Sequence, residues 1–101
     1  MGPEARAFRI VLLTRENCAF CDDAKRMLER LAEEFQIEIV TLDLAAPKGE
    51  ELALRGGLLF PPGIVIDDQP FSYGRQSEGR LRRELERLTA IRSSGPAATR
   101  G

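Results

Sequence analysis

The sequence predicts an α/β fold of one domain, with elements in the order βαβαββα and a mixed four-stranded sheet covered by helices. Three observations carry this expectation. Arg9-Ile10-Val11-Leu12-Leu13-Thr14 is a short apolar run of strand formers, suited to a strand buried on both faces, and an amphipathic stretch of helical period follows it. Ile37 to Leu44 then alternates apolar and polar residues, so two strands flank a helical crossover and should run parallel, with a right-handed connection. Ile64-Val65-Ile66, a turn and a short partner strand complete the sheet as a hairpin.

Residues 1–7 read as a loose lead-in. In the first helix, Ala24, Met27, Leu28, Leu31, Ala32 and Phe35 fall at i, i+3, i+4, i+7, i+8 and i+11, one stripe of period 3.6. Its start is expected near Cys18 or Ala19, with Asn17 as cap and Asp22 and Asp23 near the positive end of the dipole. Pro47 suits the first turn of a short second helix through Glu50, Glu51, Leu52 and Leu54, closed by Gly56-Gly57. Asp67-Asp68-Gln69 reads as a tight turn, because Asp tolerates left-handed backbone angles, and the partner strand is placed near Phe71 to Tyr73. Ser77 can cap a last helix whose Leu81, Leu85, Leu88 and Ile91 share a face. The Ser-, Gly-, Pro- and Ala-rich end, 92–101, is expected to be a flexible terminus beyond a domain of residues 8–91.

At 101 residues the chain is long enough to bury a modest core without staples. No apolar run approaches the roughly 20 residues that cross a bilayer, and the first residues lack a secretory profile. A cytoplasmic, monomeric domain without membrane attachment is the expectation. Fifteen basic and sixteen acidic side chains give a formal charge of −1, which argues against a nucleic-acid partner. Histidine is absent, and with it imidazole catalysis and any zinc site needing a histidine ligand.

The one strong chemical signal is Cys18-Ala19-Phe20-Cys21. It holds the only two cysteines, three apart, a spacing that chance gives in about 2 % of pairings. Cys18 lies where a strand ends and a helix begins, so the unpaired N–H groups of the first turn and the helix dipole favour its thiolate. Cys21, one turn on, is close enough to form a disulfide with it, the arrangement that reversible thiol–disulfide exchange needs. Asp22 and Asp23 oppose the thiolate, while Arg15 and Lys25 favour it. Two other readings stand beside this one. Half a zinc site would need further ligands from carboxylates or a second copy, so no metal is expected, and burying both cysteines as structural residues is unlike a strand-to-helix corner. Phe60-Pro61-Pro62-Gly63 puts two prolines directly before a strand, where a cis X-Pro bond is a recognised device.

With these residues in view, the stretch 8–91 resembles a glutaredoxin-like member of the thioredoxin superfamily. The resemblance rests on Thr14-Arg15-Glu16-Asn17-Cys18-Ala19-Phe20-Cys21 between strand and helix, on the proline before the third strand, and on the last helix. It implies a thioredoxin-like, glutaredoxin-type fold and a thiol–disulfide oxidoreductase. Cys18 would be the nucleophile and Cys21 the resolving thiol. Arg15 would sit near a glutathione carboxylate, Phe20 would line the groove, and Pro62 would be the cis proline facing the cysteines. Pro61 takes the place of the residue whose backbone pairs with substrate, but it has no N–H to offer.

There are departures from the family pattern. Phe71-Ser72-Tyr73-Gly74-Arg75-Gln76-Ser77 has one glycine and no aspartate where glutaredoxins show Gly-Gly-x-x-Asp, and Phe20 lacks a hydroxyl. These leave glutathione binding weak or altered and make a protein disulfide or small electrophile the more plausible substrate. No tightly bound cofactor is expected; glutathione or a partner reductase would return the electrons. The rival readings are a module that bridges a metal or iron–sulfur cluster through Cys18, and an adaptor binding a partner beside Pro62. Arg80, Arg82, Arg83 and Arg87, interleaved with glutamates, read as a solvated helix face, and Asp67 with Asp68 as a turn rather than a metal pair.

Overall fold

Among the described residues seven elements form, in the predicted order: β1 (Phe8–Thr14), α1 (Ala19–Leu31), β2 (Ile37–Asp43), α2 (Pro47–Gly56), β3 (Gly63–Ile66), β4 (Gln69–Tyr73) and α3 (Glu78–Arg100). The computed structural model describes residues 7–100, with side chains over 7–92. It is an α/β structure, a mixed four-stranded sheet of order β2-β1-β3-β4 with three helices. The chain divides after Gln76 into two units.

In the first unit β1 is the central strand. It pairs parallel with β2 over its full length, from Phe8 opposite Ile37 to Thr14 opposite Asp43, and antiparallel with β3, with Val11 opposite Val65. A strand with neighbours on both sides has little polar backbone left to solvate, and Ile10, Val11, Leu12 and Leu13 are all buried. Alternation sends Val11, Leu13 and Val65 to one face, where they cluster with Leu58, Leu52 and Ala53 of the α2 region. Ile10, Leu12, Ile64 and Ile66 take the other face. α1 packs on β1 and buries Cys21, Ala24, Met27, Leu28 and Leu31. The expected stripe therefore holds through Leu31. The helix stops there: Ala32 is its exposed C-cap, and Phe35 lies beyond it, half-buried.

The N-terminal cap differs from expectation. Asn17 is in the left-handed region, φ 54°, and Cys18 is the N-cap. Asn is among the few residues that adopt this conformation at low cost, so it serves as the hinge that swings the chain from β1 into α1. α2 begins with Pro47 at its first turn and ends at Gly57, φ 67°. Its first turn lies so close to the end of β2 that a Cβ on the buried Gly49 would run into the Asp43 carbonyl oxygen.

The β3–β4 hairpin turns on Asp67 and Asp68, both left-handed at φ 47° and 69°, as a two-residue turn of this twist requires. Asp67 also clamps β1. Its Oδ1 accepts the Arg9 N–H at 2.8 Å, and its N–H donates to the Arg9 carbonyl at 2.8 Å. Pro70 lies in the edge strand β4, beside a register shift at Ile64/Val65.

The second unit is α3. Ser77 caps it as expected, accepting the Arg80 N–H on its hydroxyl at 3.2 Å and the Leu81 N–H on its carbonyl at 3.1 Å. Leu81 and Leu85 are buried and Leu88 half-buried, but Ile91 is exposed. Arg82 pairs with Glu78 at 3.3 Å and Arg87 with Glu84 at 2.7 Å, in keeping with a solvated face. The Arg87 hydrogen bond holds the Glu84 carboxyl below the usual carboxylate range, against a smaller upward push from burial. α3 runs on to Arg100, where the sequence suggests a flexible end from residue 92. Once nucleated, a helix can continue through residues that could not start one, although Pro96 in this stretch has no N–H to add to the ladder. The remaining terminal residues, 1–6 and 101, lie outside the described residues.

Gly49→Ala is expected to lower stability by about 1–3 kcal/mol, since backbone rather than a flexible side chain must give way. Asp68→Gly should raise it by about 0.5 kcal/mol by releasing a side chain from the left-handed region. The exposed Arg9–Asp68 pair lost with it, 3.7 Å apart, contributes little. Thermal melts followed by circular dichroism check both, and opposite signs are the expected result.

Candidate functional site

The end of β1 delivers the chain to residues 15–17, and the left-handed Asn17 sets Cys18 on the N-terminus of α1. A helix leaves its first N–H groups without intrahelical partners, and serine, threonine or aspartate oxygens usually accept them. Here a sulfur does so. Cys18 Sγ accepts the Cys21 N–H at 3.1 Å, while the Cys18 carbonyl accepts the Cys21 and Asp22 N–H groups at 3.1 and 3.2 Å. The two cysteines form a disulfide, with Cα atoms 5.2 Å apart.

The two sulfurs have different surroundings. Cys21 precedes Ala24 by three residues and Leu28 by seven, so it shares their buried stripe and is only 4 % exposed. Cys18 is half-buried and lines an open groove of about 420 Å³. Arg15, Glu16, Asn17, Ala19, Phe20 and Pro61 complete the groove's lining. The structure thus brings Cys18, Arg15, Phe20 and Pro61 together around one opening. Pro62 follows the cis peptide bond, at the expected position, but its ring is fully buried and takes no part in the lining. Pro61 is the proline that meets the groove.

The acidic residues near the pair are unequal. Asp23 is engaged by Arg26 at 2.6 Å, whereas Glu16 lies in the groove wall. Arg15 has no carboxylate partner among the described residues. No group of three or more His, Cys, Asp or Glu side chains converges on a possible metal position among them either.

Residues 72–76, which the sequence marks only by their departure from a familiar pattern, hold the proline loop in place. The Gly74 N–H is shared between the Phe60 carbonyl at 3.2 Å and the Pro62 carbonyl at 2.8 Å, from a left-handed backbone, φ 80°, that suits glycine. The Gln76 Nε2 donates to the Pro62 carbonyl at 3.3 Å and the Gly74 carbonyl at 3.0 Å. Its Oε1 accepts from the Ser72 hydroxyl at 2.5 Å. The carbonyls on either side of Pro61 are thereby occupied. Between Gly74 and Gln76, Arg75 sets its guanidinium 5.8 Å from the centre of the Phe20 ring. The lone Gly74 is the only sequence signal that could have pointed to this support.

Comparison with known proteins agrees with this geometry. Residues 9–86 match the model of the glutaredoxin-like domain (DUF836). A probable thioredoxin of Archaeoglobus fulgidus is 29 % identical over 77 residues, 76 % of this chain and 85 % of that protein. An uncharacterized protein of Mycobacterium tuberculosis is 34 % identical over 86 residues, 80 % of this chain and 86 % of its own. Among solved structures, a thioredoxin variant from Halobacterium salinarum superposes with a TM-score of 0.66 at 21 % identity, covering 87 % of this chain and 80 % of that one. A thioredoxin-like protein from Clostridium perfringens gives 0.66 at 19 %, covering 83 % and 74 %. These two likenesses concern the fold. With its Cys-x-x-Cys pair at the start of α1 and the family match spanning both cysteines and the proline loop, the chain belongs to the glutaredoxin-like domain family of the thioredoxin superfamily.

Proposed function

We propose that the protein is a thiol–disulfide oxidoreductase that reduces protein or glutathione mixed disulfides through Cys18 and Cys21. One observation carries the reading: an accessible sulfur caps a helix N-terminus while its partner, three residues on, is buried. When the pair is reduced, the Cys21 N–H and the dipole of α1 act on Cys18 Sγ and stabilise negative charge there. Attack by that thiolate on a substrate disulfide forms a Cys18–substrate disulfide and expels the other substrate sulfur as a thiolate, which takes up a proton. Cys21, deprotonated in turn, attacks Cys18 Sγ. The mixed disulfide breaks, the second substrate thiol leaves, and Cys18–Cys21 is oxidised as two electrons pass to the substrate.

Two external thiols, from glutathione or a reductase dithiol, reverse these steps and restore the pair. Arg15, Phe20 and Pro61 line the approach to the reacting sulfur. A cycle of this kind belongs in a reducing compartment, the cytoplasm. No helix among the described residues is long and apolar enough to cross a membrane.

Equilibration in a glutathione redox series, with alkylation of each cysteine read by mass, is expected to show reversible formation of Cys18–Cys21. Thiols that stay reduced throughout the series would overturn the reading. Cys18→Ser should abolish exchange, whereas Cys21→Ser should accumulate a Cys18 mixed disulfide or retain only glutathione-dependent turnover. A separate check uses the burial difference. In native protein, iodoacetamide should label Cys18 of Cys21→Ser at least about tenfold faster than Cys21 of Cys18→Ser, with denaturant removing the gap.

A further inference from the structure

Six large apolar side chains are exposed among the described residues: Phe20, Leu54, Leu59, Phe60, Tyr73 and Ile91. Three of them belong to the groove that Cys18 lines or adjoin its wall. Phe20 lines the groove itself and is 50 % exposed. Phe60 directly precedes Pro61 of the groove wall, and its ring lies 6.0 Å from that of Tyr73. The Gly74 N–H, donated to the Phe60 carbonyl, ties these two segments together, and Arg75 then reaches back over Phe20. The aromatic pair Phe60–Tyr73 lies outside the lining of the groove, so a longer ligand is needed to cover it. Exposed aromatic surface of this kind, adjoining a reactive group, marks a docking surface.

Charge narrows the occupant. Arg9, Arg26, Arg55, Arg82 and Arg87 are each paired with an aspartate or glutamate. Arg15, in the groove lining beside Glu16, and Arg75, over the Phe20 ring, have no such partner among the described residues; Lys25, Lys48 and Arg83, outside the lining, have none either. Arg75 is also held in advance of binding. Its guanidinium rests over the Phe20 ring, and the residues on either side of it are anchored by the hydrogen bonds of Gly74 and Gln76. A cation fixed before the ligand arrives loses less conformational freedom on pairing.

We propose that this surface docks an extended segment of a partner protein carrying an apolar and a carboxylate side chain close to its disulfide cysteine, with Arg75 as the specificity-determining residue. The proposal rests on the oxidoreductase reading and names the substrate class for that site.

The test uses the reduced full-length chain and follows its oxidation by four disulfides at low ionic strength. These are bis(2-hydroxyethyl) disulfide, oxidised glutathione, and two peptide disulfides that differ only in Glu or Lys beside a Leu-flanked cysteine. Each rate is divided by that of dithiothreitol with the same disulfide, which removes intrinsic reactivity. The Glu peptide is expected to react about fivefold faster than the Lys peptide, and Arg75→Glu to reverse that order. Equal rates for the two peptides, or a preference unchanged in Arg75→Glu, would overturn the proposal while leaving the oxidoreductase reading intact. Oxidised glutathione matching the Glu peptide and losing the same factor in Arg75→Glu would also overturn it, giving the cation to the tripeptide's carboxylates. No reaction with the neutral disulfide would overturn both readings.

Discussion

A helix must find acceptors for the N–H groups of its first turn, and in this chain that requirement is met by a cysteine sulfur. The position of Cys18 follows from it. The hydrogen bond from the Cys21 N–H keeps Sγ over the start of α1, the same spacing puts Cys21 within disulfide reach, and the period of the helix turns Cys21 into the buried stripe of Ala24 and Leu28. One local constraint thus separates two chemically identical groups into an accessible and a protected one. An oxygen at Cys18 would cap the helix as well but could carry no disulfide.

The cap can be held there because β1 is rigid. It is paired along both edges, buried on both faces, and clamped at its beginning by Asp67. β3 arrives antiparallel beside it, so that Gly63 at the start of β3 stands opposite Leu13 at the end of β1. The proline loop that precedes Gly63 therefore lies at the same end of the sheet as the cysteines. The groove is a product of this topology before any side chain is considered. Gly74 and Gln76 then fix the loop from the β4 side, which leaves little for a bound ligand to rearrange.

What the sequence could show depended on whether each feature repeats at a short interval. The strands of alternating or wholly apolar residues, the α1 stripe through Leu31, the Pro47 start of α2 and the Ser77 cap were all legible because each reports a local period or a local hydrogen bond. The choice between Asn17 and Cys18 as cap was not. Both residues are next to the helix, and only the left-handed backbone of Asn17 decides. Arg15, Cys18, Phe20 and Pro61 of the site were named from the motif and the proline position, but the burial of Pro62 was not foreseen. Gln76 bonding to Pro62, fourteen residues away, and Arg75 resting on Phe20 have no periodic signature. The extent of α3 to Arg100 was not legible from the Ser-, Gly- and Pro-rich composition, because helix propagation is cooperative once a start is in place.

Pro70 gives the sheet a property of a different sort. A sheet of order β2-β1-β3-β4 ends at β2 and β4, and an open strand edge invites pairing with any extended chain it meets. Pro70 withdraws one backbone donor from β4, and the adjoining irregularity in the β3–β4 ladder disturbs the even spacing that another strand would need. β2 carries exposed charges at Glu38 and Asp43, which serve the same end. Both open edges of the sheet are thereby biased against adhesion.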